Sequence, residues 1–422
     1  MNSPADTAVP AFNIANPHAL ATILEAAQTK SIIAASDIFD ISGIKLWARD
    51  QPVSSALQRK LLDRQLRNPL ESCLLAEDGV NAHQLVQLIA QVLESPVPLA
   101  TWLRPHASRL LQEAANLPIH PVAQLLLTAG QASRPEAFAH AVQAMALSGA
   151  LMLDHGGGTA EVRVAMLAGL LHDLGEIYID PAHSEADADR TLDFTSYQQL
   201  VVHPHVGQLL LAQLTNYPPT LSRAVGEHHE RLDGSGYPKG LQRDAISPLG
   251  RLLAVVDGAL GVLRGEHPHL ARVSVALRVV PGEFDLGWVG RIADAARLHP
   301  ALHGQLDAAQ VQARLQRLDG ALQQAQQTID TLQGEAESTS MKEALAVSKH
   351  LLGRLRAGWY ASGLWSSQAV SVQDAAEVEA VEDELFFRLR CIERAALLRV
   401  RDLPSGDAER LTTLCEALRV SA

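Results

Sequence analysis

The sequence predicts a mainly α protein: a central helical bundle, a small N-terminal α+β element and a C-terminal helical, coiled-coil-like region. Two observations carry this. Aromatic residues are only 4% of the 422, while Ala, Leu and Gln recur throughout, a bias towards helix formers. From about residue 117 to residue 300, apolar residues return at three- and four-residue spacing with no alternating strand pattern, as in AFAHAVQAMALSGALML, EVRVAMLAGLLHDLG and SYQQLVVHPHVGQLLLAQL. The hydrophobic fraction, 47%, is enough for a sizeable core. Composition breaks divide the chain into expected domains at 1–98, 99–305 and 306–422, within the range set by roughly 100–200 residues per domain.

In chain order, residues 1–30 read as a loose arm followed by a helix from Pro17 to Lys30. SIIAASDIFDISGIKLWARDQPVS is β-branched or aromatic on either side of Asp40–Gly43, which predicts a small hairpin closed by that turn. Ser54 or Ser55 is the expected cap of a helix running to Asn68-Pro69. A further helix near His83–Leu93 stops at Ser95-Pro96-Val97-Pro98, and another spans Trp102–Ala115. The helices of the central block are separated by polar loops such as DHGGGTA, DPAHSEADADRTLDF and DGSGYPKG. Beyond Leu306, AAQVQARLQRLDGALQQAQQTIDTLQ is a Gln-rich amphipathic helix with a loose heptad. Gly334–Ser340 reads as a break, and Met341–Ala422 as a second helical block for packing, partner binding or self-association.

The formal charge, 35 − 47 = −12, opposes broad binding to DNA or to an acidic membrane, both of which need a basic face. Cys73, Cys391 and Cys415 form no CxxC pair and no disulfide framework, which points to a reducing compartment. MNSPADTAVPAF lacks the features of a secretory signal. The most apolar run, Ala141–Leu153, is shorter than the roughly 20 residues a bilayer span needs. A cytoplasmic protein with no membrane partner is the expectation.

Eight of the 17 histidines fall between His140 and His229. Divalent transition metals take imidazole and carboxylate ligands that converge from several elements. The candidates are His140, His172 with Asp173, His203, His228 with His229, and Asp257, each residue or pair expected in a different apolar helix. A lone histidine is usually a surface or hydrogen-bonded residue, and that reading holds for His83, His120 and His350. Asp173 and Asp257 lie in apolar runs, where an isolated carboxylate costs several kcal/mol unless it is paired or metal-bound. Packing alone does not explain two of them.

HDLG at 172–175, HPHVG at 203–207 and HHERLDGSGYPKGL at 228–241 resemble the HD-GYP branch of the HD phosphohydrolase superfamily, over roughly residues 117–300. GEFDLGWV at 282–289 is similar to that family's closing segment. The resemblance implies an HD-type helical bundle holding two or three divalent metals, often iron or manganese. It implies hydrolysis of cyclic di-GMP to pGpG or GMP by a metal-bridging hydroxide. Carried over by position, the implied metal ligands are Glu136, His140, His172, Asp173, His203, His228, His229 and Asp257, with Asp173 bridging. His205, two residues from His203, would face about 200° away on a helix and is left out. The GSGYP stretch, with Gly236, Tyr237 and Pro238, would be the substrate-facing lip.

Two departures stand out. The family usually reads HD-x-GK, with a lysine near the scissile phosphate, where this chain has Glu176. After Asp257 the family usually continues with an aspartate and an RPYR-like segment, where this chain has Gly258-Ala259-Leu260 and then Arg264-Gly265-Glu266-His267-Pro268, leaving Arg264 as a substitute phosphate contact. The implied activity is therefore slow, with Asp173 and Glu176 at the catalytic position. Two alternatives stay open: a catalytically weak signalling module that binds a nucleotide or protein partner, and a hydrolase of another phosphoester.

Overall fold

A computed structural model describes residues 12–183, 194–265, 267–298, 307–362, 372–400 and 403–419. The described residues are predominantly helical, with short strands confined to the N-terminal region. The chain forms two compact units. The first comprises 1–95, 103–191 and 199–226; the second comprises 96–102, 192–198 and 227–422.

In the first unit Asn16 caps α1 (Pro17–Ala26) by accepting from the His18 and Ala19 amides. The helix ends short of the expected Lys30, and the arm expected before it lies largely outside the described residues. Next come β1 (Ile32–Ala34), β2 (Ile38–Phe39) and β3 (Lys45–Trp47). The expected hairpin is β2 with β3. Asp40 Oδ1 accepts from Ser42 Oγ at 2.6 Å and Ile44 N at 2.9 Å, and Gly43, at φ 86°, takes the left-handed conformation that the turn requires. α2 (Ser55–Leu61) follows Ser54 but stops well before Asn68. Asp63 sits at φ 57°, a conformation no helix interior accepts. After α3 (Leu70–Cys73), β4 (Leu74–Ala76) pairs antiparallel with β1, a long-range pairing that no local pattern announces. Asn81 caps α4 (Ala82–Glu94).

The helix expected over Trp102–Ala115 is split into α5 (Pro98–Leu103), a 3₁₀ turn at Arg104–His106 and α6 (Ala107–Ala114). The main helices are α7 (Pro121–Ser133), α8 (Pro135–Asp154) and α9 (Thr159–Leu171), followed after a 3₁₀ segment (Leu174–Tyr178) by α10 (Phe194–Leu200), α11 (His203–Leu214) and α12 (Pro219–Val225). α8 and α9 touch backbone to backbone: a Cβ on Gly169 would meet the Ala144 carbonyl. α8 is longer than the run read from sequence and, by length and composition, is long and apolar enough to cross a bilayer. Its hydrophobic window is 67% buried inside the protein, which gives its apolarity a packing role. The N-terminal element closes on the same unit. Tyr178 donates its hydroxyl proton to Glu71 at 2.7 Å, and Asn16 Nδ2 donates to the Tyr178 carbonyl at 3.2 Å.

The second unit contains α13 (Pro248–Leu263), α14 (Leu270–Ala276), α15 (Leu286–Arg297), α16 (Ala308–Glu335), α17 (Thr339–Ser362), α18 (Val372–Leu397) and α19 (Ser405–Leu418). The loose heptad of α16 is visible in its buried positions, Val311, Leu315, Leu318, Leu322, Ala325, Ile329 and Leu332. These pack with Trp359 of α17, Leu385 and Leu389 of α18 and Leu414 of α19. The break at Gly334–Ser340 holds, with α16 ending at Glu335 and α17 starting at Thr339.

The compact units do not follow the boundaries expected at 98/99 and 305/306, and residues 299–306 lie outside the described residues. Val280, which precedes the 305/306 boundary, belongs to the core of α16–α19, and a Cβ on Gly358 of α17 would run into the Val279 carbonyl. One apolar core therefore spans that point in the sequence.

Candidate metal centre

Four predicted ligands gather in the first unit. His140 lies inside α8, His172 is the C-cap of α9, Asp173 is the N-cap residue just before the 3₁₀ segment and His203 is the first residue of α11. All three histidines are buried. The Nδ1 atoms of His172 and His203 lie 2.7 Å from the carbonyls of Gly169 and Leu200, three residues back in each case. A carbonyl only accepts, so both Nδ1 atoms carry the proton and both Nε2 atoms turn inward. His172 Nε2 is 2.9 Å from Asp173 Oδ2, His140 Nε2 is 3.5 Å from the same oxygen, and His203 Nε2 is 3.5 Å from Asp173 Oδ1. His140 Nε2 and His172 Nε2 are 3.2 Å apart.

In neutral imidazoles the inward Nε2 atoms and the carboxylate oxygens are all electron-pair donors, and at these distances a cation between them, a metal ion or a proton, holds them together. Imidazole nitrogens around a carboxylate, held from behind by backbone carbonyls, fit a divalent transition metal. Glycine makes the approach feasible. A Cβ on Gly175 would collide with the His203 carbonyl, and Gly207 packs against the Gly175 amide, so HDLG and HPHVG interlock through their glycines.

The remaining ligands belong to the second unit. His228 and His229 lie in a turn beyond α12, not in a helix as expected, and Asp257 lies within α13. His229 Nδ1 is 3.3 Å from Asp257 Oδ2. The ring of His229 is stacked on Tyr237 with centroids 4.5 Å apart, and Tyr237 N donates to the His229 carbonyl at 3.1 Å. The loop locks itself. Asp233 Oδ1 accepts from Ser235 N and Oγ, and buried Glu230 accepts from Lys239 N at 2.7 Å and Leu241 N at 2.8 Å. Burial raises the Glu230 pKa, against the pull of those two amides.

The other predicted site residues are placed differently. Glu136 is exposed and joins no cluster of ligand atoms among the described residues, although it lies one turn before His140. The helix turns buried His140 to the core, but Glu136 is in its exposed first turn. Gly236 packs on the backbone of His229–Arg231, where any Cβ would clash, so that approach is what demands glycine there. Tyr237 spends one ring face on His229, and Pro238 is exposed. Arg264 is exposed at the C-cap of α13, about two turns beyond Asp257, and Glu266 in the same stretch lies outside the described residues. His205 is exposed.

Glu176 is buried in the 3₁₀ segment. Arg134 Nη1 donates to the Glu176 backbone carbonyl at 2.8 Å. Burial lowers the Arg134 pKa, and the Glu176 charge opposes that shift. Sequence reasoning missed Arg134, Glu230 and Arg231. The signal for the last two was present: charged residues sit inside the HHERLDG motif itself.

An HD domain family profile matches residues 123–274. The chain is 30% identical over 208 residues to a cyclic di-GMP phosphodiesterase of Pseudomonas aeruginosa, covering 49% of this chain and 47% of that protein. It is 26% identical over 224 residues to a 3'3'-cGAMP-specific phosphodiesterase of Vibrio cholerae, covering 50% and 48%. It is 37% identical over 98 residues to a cyclic di-GMP phosphodiesterase response regulator of Xanthomonas campestris, covering 23% and 25%. The chain thus spans about half the length of the first two relatives and a quarter of the third. The HD-domain match falls on the same residues as the HDLG, HPHVG and HHERLDGSGYP motifs, so residues 123–274 carry an HD domain.

Proposed function

We propose that this protein is a metal-dependent phosphodiesterase acting on a cyclic dinucleotide, with cyclic di-GMP hydrolysed slowly to pGpG or GMP. The observation that carries the reading is the Asp173 carboxylate faced by the Nε2 atoms of buried His140, His172 and His203. The proposed ligand set also includes His228, His229 and Asp257, for two or three divalent ions, iron or manganese, with residues 99–305 as the HD-GYP domain and 1–98 and 306–422 as accessory regions. When bound, the metals lower the pKa of a shared water towards neutrality and stabilise charge on the attacking and leaving oxygens.

The chain's own residues do the rest. Asp173 would hold metal together with the histidines that face it, the Gly169 and Leu200 carbonyls hold the His172 and His203 tautomers, Tyr237 orients His229, and Glu230 fixes the loop that faces the substrate. The relatives named for cyclic di-GMP and for 3'3'-cGAMP support a cyclic dinucleotide. The free cysteines suit the reducing cytoplasm expected for such a messenger.

Glu176 favours slow turnover. A carboxylate about 5 Å from a substrate phosphate costs about 3 kcal/mol at an effective dielectric near 20, before the opposing field of Arg134. The same residue supports the second reading, a catalytically weak module that binds nucleotide or a protein partner. Metal analysis with turnover of cyclic di-GMP and 3'3'-cGAMP, for wild type and Glu176→Lys, tests both. Bound metal with slow hydrolysis that rises in Glu176→Lys supports the phosphodiesterase. Bound metal with no hydrolysis in either protein supports the weak module, and a wild type without metal refutes the centre.

A further inference from the structure

Arg231, inside the HHERLDG motif, reaches three parts of the candidate centre at once. Its Nη1 donates to the carbonyls of His228 and Glu230, each at 3.1 Å, and its Nη2 lies 3.9 Å from Asp257 Oδ2. Its other side is held. Arg231 Nε is 3.7 Å from Glu283 Oε1, and the same oxygen is 3.1 Å from Arg388 Nη1 of α18. Arg388 also pairs with Glu384 one turn earlier on α18, at 2.8 Å. The ring of Phe284 lies under both guanidinium groups, 4.8 Å from Arg231 and 5.8 Å from Arg388. Leu232 N donates to the Glu283 carbonyl at 2.8 Å, which fastens the strand of chain carrying Arg231 to the one carrying Glu283. A second tie runs from α17, where Arg354 Nε is 3.5 Å from Asp233 Oδ2.

The Glu283 side chain is only 3% exposed, and those of Arg231 and Arg388 are 13% and 12% exposed. A buried carboxylate facing two guanidinium groups through one oxygen draws its charge compensation from both, and removing one weakens the hold on the other. Simple packing of α18 needs no such arrangement, since its apolar face already supplies the contact. We propose that Arg231 is a positioning residue for His228 and Asp257, and that α18 sets its position through Arg388 and Glu283. The C-terminal helices thereby govern the metal affinity of the ligands in their own unit. This rests on the metal-centre reading above.

The test uses the full chain and manganese(II) alone, titrated against a competing chelator. The variants are Arg388→Met, Arg388→Lys and, as a control, Arg272→Met. Arg272 joins α14 to α18 through Asp383 at 2.9 Å and Glu379 at 3.7 Å, acidic partners other than the Glu283 and Glu384 that Arg388 holds. Arg388→Met should weaken manganese binding about 10–100-fold, the range for groups that orient metal ligands, with helix content kept. Arg388→Lys should recover part of the loss, because it restores charge without the planar fork. Arg272→Met should bind as wild type does. Hydrogen exchange over residues 228–241, read without metal, should accelerate in Arg388→Met and not in Arg272→Met. Wild-type affinity and exchange in Arg388→Met would overturn the proposal, as would equal losses in both Met variants. A wild type that binds no manganese refutes the metal-centre reading and the affinity claim with it, while the metal-free exchange still decides whether α18 braces the loop.

Discussion

The ligands of the first unit and those of the second are held by different forces. His172 and His203 sit at helix ends, each oriented by a carbonyl three residues away, so their geometry follows from the backbone. His228, His229 and Asp257 are held by a stacked tyrosine, a self-locked loop and a chain of buried charges that reaches α18. Local backbone geometry is robust to events elsewhere in the chain, whereas a charge network built from distant segments transmits them. On this comparison the first set is the fixed one and the second the adjustable one.

The largest effect that could break the comparison is at the carboxylates. Asp173→Ala removes a carboxylate that all three buried imidazoles face. It should lower metal affinity by more than the roughly 10–100-fold typical of supporting residues and abolish hydrolysis. Asp257→Ala should leave residual metal on the first set. Elemental analysis after gel filtration checks both, and equal metal loss in the two variants would remove the distinction between the sets.

The glycines offer a smaller and more local contrast. Gly175→Ala drives a Cβ into the His203 carbonyl, between two motifs of the first unit. It should destabilise by about 1–3 kcal/mol, the usual range for overpacking, seen as a lower denaturant midpoint. Gly236→Ala meets the backbone of His229–Arg231, but on a partly exposed loop that can move. Its effect should appear as faster hydrogen exchange over Ser235–Leu241 with little change in the global midpoint. A large midpoint shift in Gly236→Ala would show that the loop is as rigid as the interlocked helices.

The same division governs what the sequence reveals. Helical periodicity and the Asp40–Gly43 turn are short-range signals, and they predicted the helical character and the hairpin. The heptad of α16 was equally visible because its repeat is local. The pairing of β1 with β4 was not, because it joins strands forty residues apart whose partners no periodicity specifies. The ends of helices were read too long where a single residue, such as Asp63 at positive φ, stops the chain. In the candidate site, the residue types and their order were legible, but their placement was not. His228 and His229 read as helical and lie in a turn, and Glu136 read as a ligand and lies exposed. The brace from Arg388 to Arg231 depends on residues about 150 positions apart, and nothing in the composition of α18 marks Arg388 out from its other arginines.

The smallest effect separates the C-terminal helices from the first unit by pH. Asp407, in the first turn of α19, accepts from Ser338 N at 2.7 Å, Glu337 N at 3.2 Å and Arg410 Nη1 at 2.8 Å. Hydrogen bonds from Ser338, by its hydroxyl and its amide, then from the Glu337 amide and Arg410, hold its carboxyl well below the usual aspartate range. A carboxylate whose pKa is depressed on folding stabilises the folded state above the unfolded value of about 3.9, and that contribution is lost as pH falls from there towards the folded value. Asp407→Asn removes the charge at every pH. The stability gap between wild type and Asp407→Asn should therefore be constant from neutrality down to about pH 5 and shrink below pH 4. Thermal melts followed by circular dichroism at pH 7, 5 and 3 measure it. The loss should fall on α16–α19, where Asp407 joins the start of α17 to α19, and hydrogen exchange of α8 and α9 should be equal in the two proteins throughout. A gap that stays constant to pH 3 would show that the carboxylate acts there through shape and not through charge.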